Sequence, residues 1–310
     1  MKPIPYLQTA GLGIKIAALL FICLLCATIS SFFAVFVGIL IWDLPVDALQ
    51  QYDRYGAHGI ALMKFTQAFS SIGLFVLPPF IFARITGAKA IHFLKLDQRP
   101  YALLVLFSCI LMFFQLPWIN ALGSWNDSIE WHGFLRPLYE SLRAKEDAAA
   151  RLVEQFLYMP SPLELLQSLV VIALIPALGE ELLFRGVLQP LVSKSYGIHA
   201  GVWITAFAFS FIHFQFFGFF PRLLLGALLG YLAVWSGSLW YSIAAHFANN
   251  AMAVVGYYGE QHNWSIAKQG YWNPTEETNL TITISMILSI VCAYGFFKFV
   301  SRMRDKQAHR

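Results

Sequence analysis

Apolar residues in this chain fall in blocks of about 20, the length an α-helix needs to cross the hydrocarbon of a bilayer. Hydrophobic residues make up 58% of the sequence and charged residues 12%, where a soluble domain has about 45–50% and about 25%. The fold expected is all-α, a polytopic membrane bundle of about eight transmembrane helices. The blocks place the spans at about 15–42, 62–83, 100–122, 162–192, 197–217, 221–236, 238–258 and 280–301. The fourth is long enough to tilt or to project beyond the hydrocarbon. The sixth is short and glycine-rich, which makes it the weakest span. The first is too long for a removed signal peptide and lacks a small-residue cleavage site, so a retained anchor is expected.

Basic residues orient these spans. Arg84, Lys89, Lys95 and Arg99 separate the second from the third. Lys298, Arg302, Arg304, Lys306 and Arg310 crowd the C-terminus, and Lys2 and Lys15 flank the first span. Eight crossings put all three groups in the cytoplasm, as the positive-inside bias requires. Both termini are then cytoplasmic, and a bacterial protein would sit in the plasma (inner) membrane. The loop at 259–279, with Glu260, Glu276 and Glu277 against Lys268, suits the outside. The net charge of +4 reports topology, and no nucleic-acid partner is indicated.

One sizeable polar insertion interrupts the spans, at 123–160. Its "LRPLYESLRAKEDAAARLVEQFLYM" has apolar residues at helical spacing, which predicts an amphipathic helix lying on the outer surface. A packed connector is the favoured role and substrate gating the alternative. Cys23, Cys26, Cys109 and Cys292 all fall in predicted spans. Cys23 and Cys26 form a C-x-x-C, yet no second pair or nearby histidine completes a metal site.

The chemistry is expected around "GEELLFRGVLQP", residues 179–190, where three charges sit inside an apolar block. Intramembrane charge is costly unless paired or wet. Glu181 and Arg185 are four residues apart on one helical face, in the favourable order for an ion pair. Glu180 lies about 100° around the helix and has no local partner. Pro176 cannot donate to the carbonyl of Ile172 and disturbs the helix just upstream. A structural interhelical salt-bridge network would also account for this stretch.

Two histidines fall within late spans, His213 in "FAFSFIHFQF" and His246 in "SIAAHFANNAM". A lone intramembrane histidine is usually a hydrogen-bonded core residue. Two on different helices, with an unpartnered glutamate on a third, point toward a site. Phe209, one turn before His213, can wall the imidazole from lipid. Asn250 shares a face with His246 and can orient it or donate to an oxyanion, while Asn249 points elsewhere. Such a set can activate water through the carboxylate, and its imidazoles can bind a metal or polarise a carbonyl.

Glu180-Glu181-x-x-x-Arg185, Phe209-x-x-x-His213 and His246-x-x-x-Asn250, in this order on successive helices, resemble the CPBP intramembrane proteases. That family is also called the Abi or CAAX prenyl protease type II family, and it includes the eukaryotic Ras-converting enzyme and lysostaphin-resistance-like proteins. The resemblance covers about 165–256. It implies an eight-span bundle whose conical cavity opens toward the cytosol and the membrane. It also implies that Glu180 activates the hydrolytic water and His213 helps to hold it. His246 and Asn250 would stabilise the oxyanion, with Glu181, Arg185 and Phe209 as structural support. On this reading 1–160 carries the N-terminal membrane helices and the insertion, 161–260 the catalytic core, and 261–310 an outer loop and the last span, all in one membrane domain.

The implied activity is an endopeptidase acting on a membrane-associated protein or peptide, with the lipid bilayer as its other partner. Either no cofactor is required or a divalent metal such as zinc is held by His213, His246 and Glu180. A closed structural zinc site needs four good ligands, usually Cys or His; Asn250 is a poor one, and with Glu180 as base only two histidines remain. Glutamate-activated water is therefore favoured. The alternatives are a catalytically inactive immunity or scaffold protein of the same fold and, behind it, a transporter or a haem protein.

Overall fold

The computed structural model describes residues 6–265 and 278–308, and these are helical throughout, with turns and no strand. In chain order the main helices are α1 Leu12–Trp42, α2 Tyr52–Ile85 and α3 Ala102–Asp127. The surface helix α4 Arg136–Phe156 follows, then α5 Pro162–Tyr196 and α6 Ile198–Phe211. The last three are α7 Phe219–Ser236, α8 Trp240–Gln261 and α9 Asn279–Ala308. Most of the predicted outer loop at 259–279 lies outside the described residues, as do Lys2 and Arg310.

The chain is a multi-pass membrane protein, and each predicted interval holds a helix, but the helices differ in how well they can span. Six are long and apolar enough to cross a bilayer, including the doubted sixth, which runs from Phe216 to Ser236. The fifth is shorter than expected. Its 14 residues reach only about 21 Å at 1.5 Å per residue, against about 30 Å of hydrocarbon. α8 has the length, at 22 residues, but His246, Asn249 and Asn250 make it less apolar.

Prolines shape the two longest helices. Each of three π-helical turns, Ile72–Val76, Leu169–Leu174 and Phe184–Leu188, ends two residues before a proline: Pro78, Pro176 and Pro190. A proline ring inside an α-helix clashes with the carbonyl four residues back and cannot bond it. Widening the preceding turn by one residue moves that carbonyl aside, and the next N–H reaches five residues back, as Ile175 does to Val170. Such π-bulges change the phase of everything downstream. Two of them bracket Gly179–Leu183.

α5 lies at the centre. It packs against α2, α6 and α8, while α3 and α9 pair on the far side of α7 and α8. Gly179 makes the α2 contact possible, because a Cβ there would stand 2.7 Å from Phe75 Cβ. Phe82, Leu182, Phe184, Phe209 and Leu239 fill the core around α5. α1 instead exposes Leu20, Phe21, Leu24, Phe32, Phe36 and Leu40, the surface of a helix made to face lipid. The four cysteines are unpaired.

α4 is the predicted surface helix, and none of its residues is buried. It is fastened to the turn between α6 and α7. The Phe217 N–H donates to Glu146 Oε2 at 3.3 Å, and the Arg143 guanidinium lies 3.7 Å from the Phe217 ring centroid. Arg143 also pairs with Asp127 at the end of α3. Burial holds the Glu146 carboxyl above the usual carboxylate range, against the pull of the Phe217 N–H, Arg222 and Arg143.

Candidate active site

The ion pair expected within α5 is present and fully enclosed. Arg185 Nη1 donates to Glu181 Oε1 at 2.6 Å, with both side chains at 0% exposure. A second guanidinium nitrogen, Nη2, donates to the Gly226 carbonyl of α7 at 2.9 Å. Gly226 also lets α7 pack closely on α6, since a Cβ there would meet Ala206 and Phe209 at 3.2 Å. The pair therefore ties α5 to α7.

Glu181 also reaches across to α8, which the helical spacing did not reveal. Its Oε1 accepts from His246 Nδ1 at 3.0 Å. The orienting partner of His246 is thus Glu181, and no bond joins Asn250 to His246 as the shared face had suggested. With Nδ1 engaged, the other imidazole nitrogen is turned toward Glu180. His246 Nε2 and Glu180 Oε2 stand 3.7 Å apart, and the two residues are 2% and 8% exposed.

Counting charge shows what this cluster requires. Among the groups in contact, two carboxylates face one guanidinium, leaving one negative charge over that Arg222 offsets only from outside contact. Buried net charge is expensive, and one proton on either His246 Nε2 or Glu180 Oε2 removes it. The site thus has a place for one proton between two groups that both face the same small space.

His213 stands just beyond the end of α6, rather than within a span as predicted. Phe214 enters the left-handed region at φ 52° and stops the helix. His213 Nδ1 donates to the Phe209 carbonyl at 2.7 Å, a side-chain cap on an otherwise orphaned acceptor. That bond leaves Nε2 as the acceptor of a neutral ring. Phe209 joins the parts. Its buried ring is edge-on to His213 at 5.1 Å and to His246 at 5.8 Å, and Arg185 lies 4.8 Å from its centroid.

Asn250 is half-buried on α8. Asn249 points away from the His246 face, as expected, but its Nδ2 donates to Asn250 Oδ1 at 3.3 Å and occupies that oxygen. Asn249 also lines a cleft of about 360 Å³ with Leu116, Ile119, Asn120 and Tyr257 between α3 and α8.

The three residues named as metal ligands do not form a ligand set. Among the described residues no group of three or more His, Cys, Asp or Glu side chains is placed to hold an ion. His246 and Glu180 converge, and His213 packs against the Phe209 ring that also meets His246. Sequence reasoning missed Gly226 and Arg222. The last carried a signal, an arginine inside the apolar run "FFPRLLLGALLGYLAVW".

Comparison with known proteins bears on the segment that carries this geometry. Residues 162–252 match the Rce1-like family, described as type II CAAX prenyl endopeptidase. The Rce1-like segment contains Glu180, Glu181, Arg185, Phe209, His213, His246 and Asn250, and it runs from the start of α5 into α8. The resemblance drawn from the three motifs is borne out over this part of the chain. Uncharacterized protein YpbD of Bacillus subtilis (strain 168) is 32% identical over 88 residues, covering 27% of this chain and 42% of that protein. The chain thus spans less than half the length of this relative. No solved structure matches.

Proposed function

We propose that this protein is an intramembrane endopeptidase that hydrolyses a peptide bond in a membrane-associated protein or peptide by glutamate-activated water. One observation carries the proposal: Glu181 holds His246 by Nδ1, so that Nε2 faces Glu180 across 3.7 Å. This pairs a general base with a proton donor in an enclosed, charge-balanced site.

In the reactive state the shared proton resides on His246 Nε2, and Glu180 is ionised. Glu180 takes one proton from water as the oxygen attacks the scissile carbonyl, while Nε2 of the neutral His213 accepts a hydrogen bond from the other O–H and holds the water in place. Negative charge develops on the carbonyl oxygen, where His246 Nε2–H and Asn250 Nδ2–H donate to it. Glu180 then passes its proton to the leaving amine and the C–N bond breaks. Glu181 with Arg185 fixes the orientation of the imidazolium through Nδ1. The location of the machinery among apolar helices favours substrates embedded in, or anchored to, the bilayer, with CAAX-like processing as the family precedent.

Glu180→Gln keeps the shape and removes the base. Peptide profiles of membranes carrying the wild type and Glu180→Gln are expected to differ, with cleavage falling about 10²–10⁴-fold in the variant. Identical profiles would refute the assignment.

A further inference from the structure

A second charge stands beside the proposed reaction centre with no opposite charge in contact. Arg222, in the first turns of α7, is half-buried. Its guanidinium donates only to a neutral residue, with Nη1 to the Gln215 carbonyl at 3.1 Å and Nη2 to Gln215 Oε1 at 2.8 Å. It forms no ion pair among the described residues, although it is close enough to act electrostatically on Glu180, Glu146 and His213. Gln215 follows His213 by two residues in the same turn. Arg222 is therefore fixed to the turn that carries His213, within electrostatic range of the proposed base.

Structural fastening of the turn does not require a full charge here. The α6–α7 turn is already held by Glu146 and Arg143 of α4, and a neutral donor could bond Gln215. A half-buried arginine whose neighbouring carboxylates, Glu146 and Glu180, stand outside contact still has its donor fork open to a carboxylate that can reach it. Its planar fork suits a carboxylate in particular.

We propose that Arg222 is a specificity-determining residue that binds a carboxylate of the substrate, anchoring it beside Glu180 and His213. The proposal rests on the endopeptidase reading for its substrate. Two sources supply this chemistry, a free C-terminus or an acidic side chain near the scissile bond. The same fork serves either, and a free C-terminus would set cleavage close to the chain end.

Binding can be measured without cleavage. The probes are three fluorescent apolar decapeptides in detergent micelles, ending in a free acid, in an amide, or in an amide after a final Asp. Binding to the full chain is followed by anisotropy. Wild type is expected to bind at least one carboxylate-bearing probe about 10–100-fold more tightly than the plain amide. Preference for the free acid alone identifies the terminus, and equal preference for the Asp probe identifies carboxylate as such. Arg222→Gln should abolish the preference and Arg222→Lys retain part of it.

Gln215→Glu gives a sharper discrimination, because it supplies an internal carboxylate while leaving Arg222 in place. A merely structural arginine would be held more firmly, whereas a receptor would be self-occupied and lose its preference. Equal affinity of wild type for all three probes, or a preference that survives Arg222→Gln, overturns the proposal. The Glu180→Gln protein in the same assay separates the two readings. Carboxylate preference without any cleavage by wild type sinks the endopeptidase and spares the binding site. Cleavage without carboxylate preference does the reverse.

Discussion

Glu181 is bound on one oxygen by both Arg185 and His246. A fully buried carboxylate with this arrangement depends on the guanidinium for its charge. Arg185→Met should cost about 3–5 kcal/mol, the usual consequence of stranding one member of a buried pair. The double variant Glu181→Gln/Arg185→Met should recover a large part of that loss, since no unpaired charge remains. Thermal unfolding of the purified protein in detergent would check both. A double variant no more stable than Arg185→Met would show that the pair contributes through Gly226 rather than through charge. This residue-scale picture was half legible in the sequence. The i, i+4 relation exposes Glu181 and Arg185 because both sit on one helix. The bond to His246 spans 65 residues, and no periodicity reports a contact between separate helices. The same limit hid Gly226, and it made Asn250 seem the natural partner of His246.

At the scale of elements, the apolar blocks located the helices well, because span length follows from hydrocarbon thickness. They failed at the end of α6, where a left-handed Phe214 stops a helix that hydropathy alone would continue. They could not show the π turns either, although each is announced by a proline two residues later. Gly179 marks where α5 meets the π turn of α2. Gly179→Ala would put a methyl 2.7 Å from Phe75 Cβ and 3.0 Å from Val76 Cγ2. Overpacking of this kind costs about 1–3 kcal/mol, and the melting temperature should fall accordingly. A melting temperature equal to that of wild type would mean that α2 yields without loss.

The contact between α4 and the α6–α7 turn makes a separate prediction in pH. Burial raises the Glu146 carboxyl above its ordinary value, so the folded protein holds this proton more tightly than the unfolded chain. The stabilising contribution is complete at pH values below the unfolded pKa. It is lost as pH rises through the raised folded value. Glu146→Gln keeps an acceptor for the Phe217 N–H and cannot ionise. Relative to wild type, the variant should therefore gain stability as pH is raised from about 4 to 7. A constant difference between the two melting curves across that range would assign Glu146 no such role.

For the whole molecule, two expectations drawn from the sequence pull in opposite directions. The positive-inside bias puts Lys15, the Arg84–Arg99 loop and Arg304 in the cytoplasm, whereas the family resemblance implies a cavity open to the cytosol. In the structure Lys95 and Arg304 are neighbours at one end of the bundle. The turn carrying His213, together with Arg222 and α4, lies at the other end, against Asn126 and Asp127 where α3 finishes. The short α6 does not alter this conclusion. It packs along α7 through the turn at 212–218, so the pair returns to its starting side whether it crosses or stops short. The remaining long helices, α1, α2, α3, α5, α8 and α9, are even in number. Charge then argues that the ends preceding α1 and following α9 are cytoplasmic and that the His213 turn faces outward. Single cysteines at Gly11, Asp53, Glu130 and Asp305 test this with a membrane-impermeant maleimide on intact cells. Asp53→Cys and Glu130→Cys should label, while Gly11→Cys and Asp305→Cys should label only after lysis. The inverse pattern would turn the site toward the cytosol and defeat the charge argument. Labelling at only one of Gly11 and Asp305 would mean that one of the six helices does not cross.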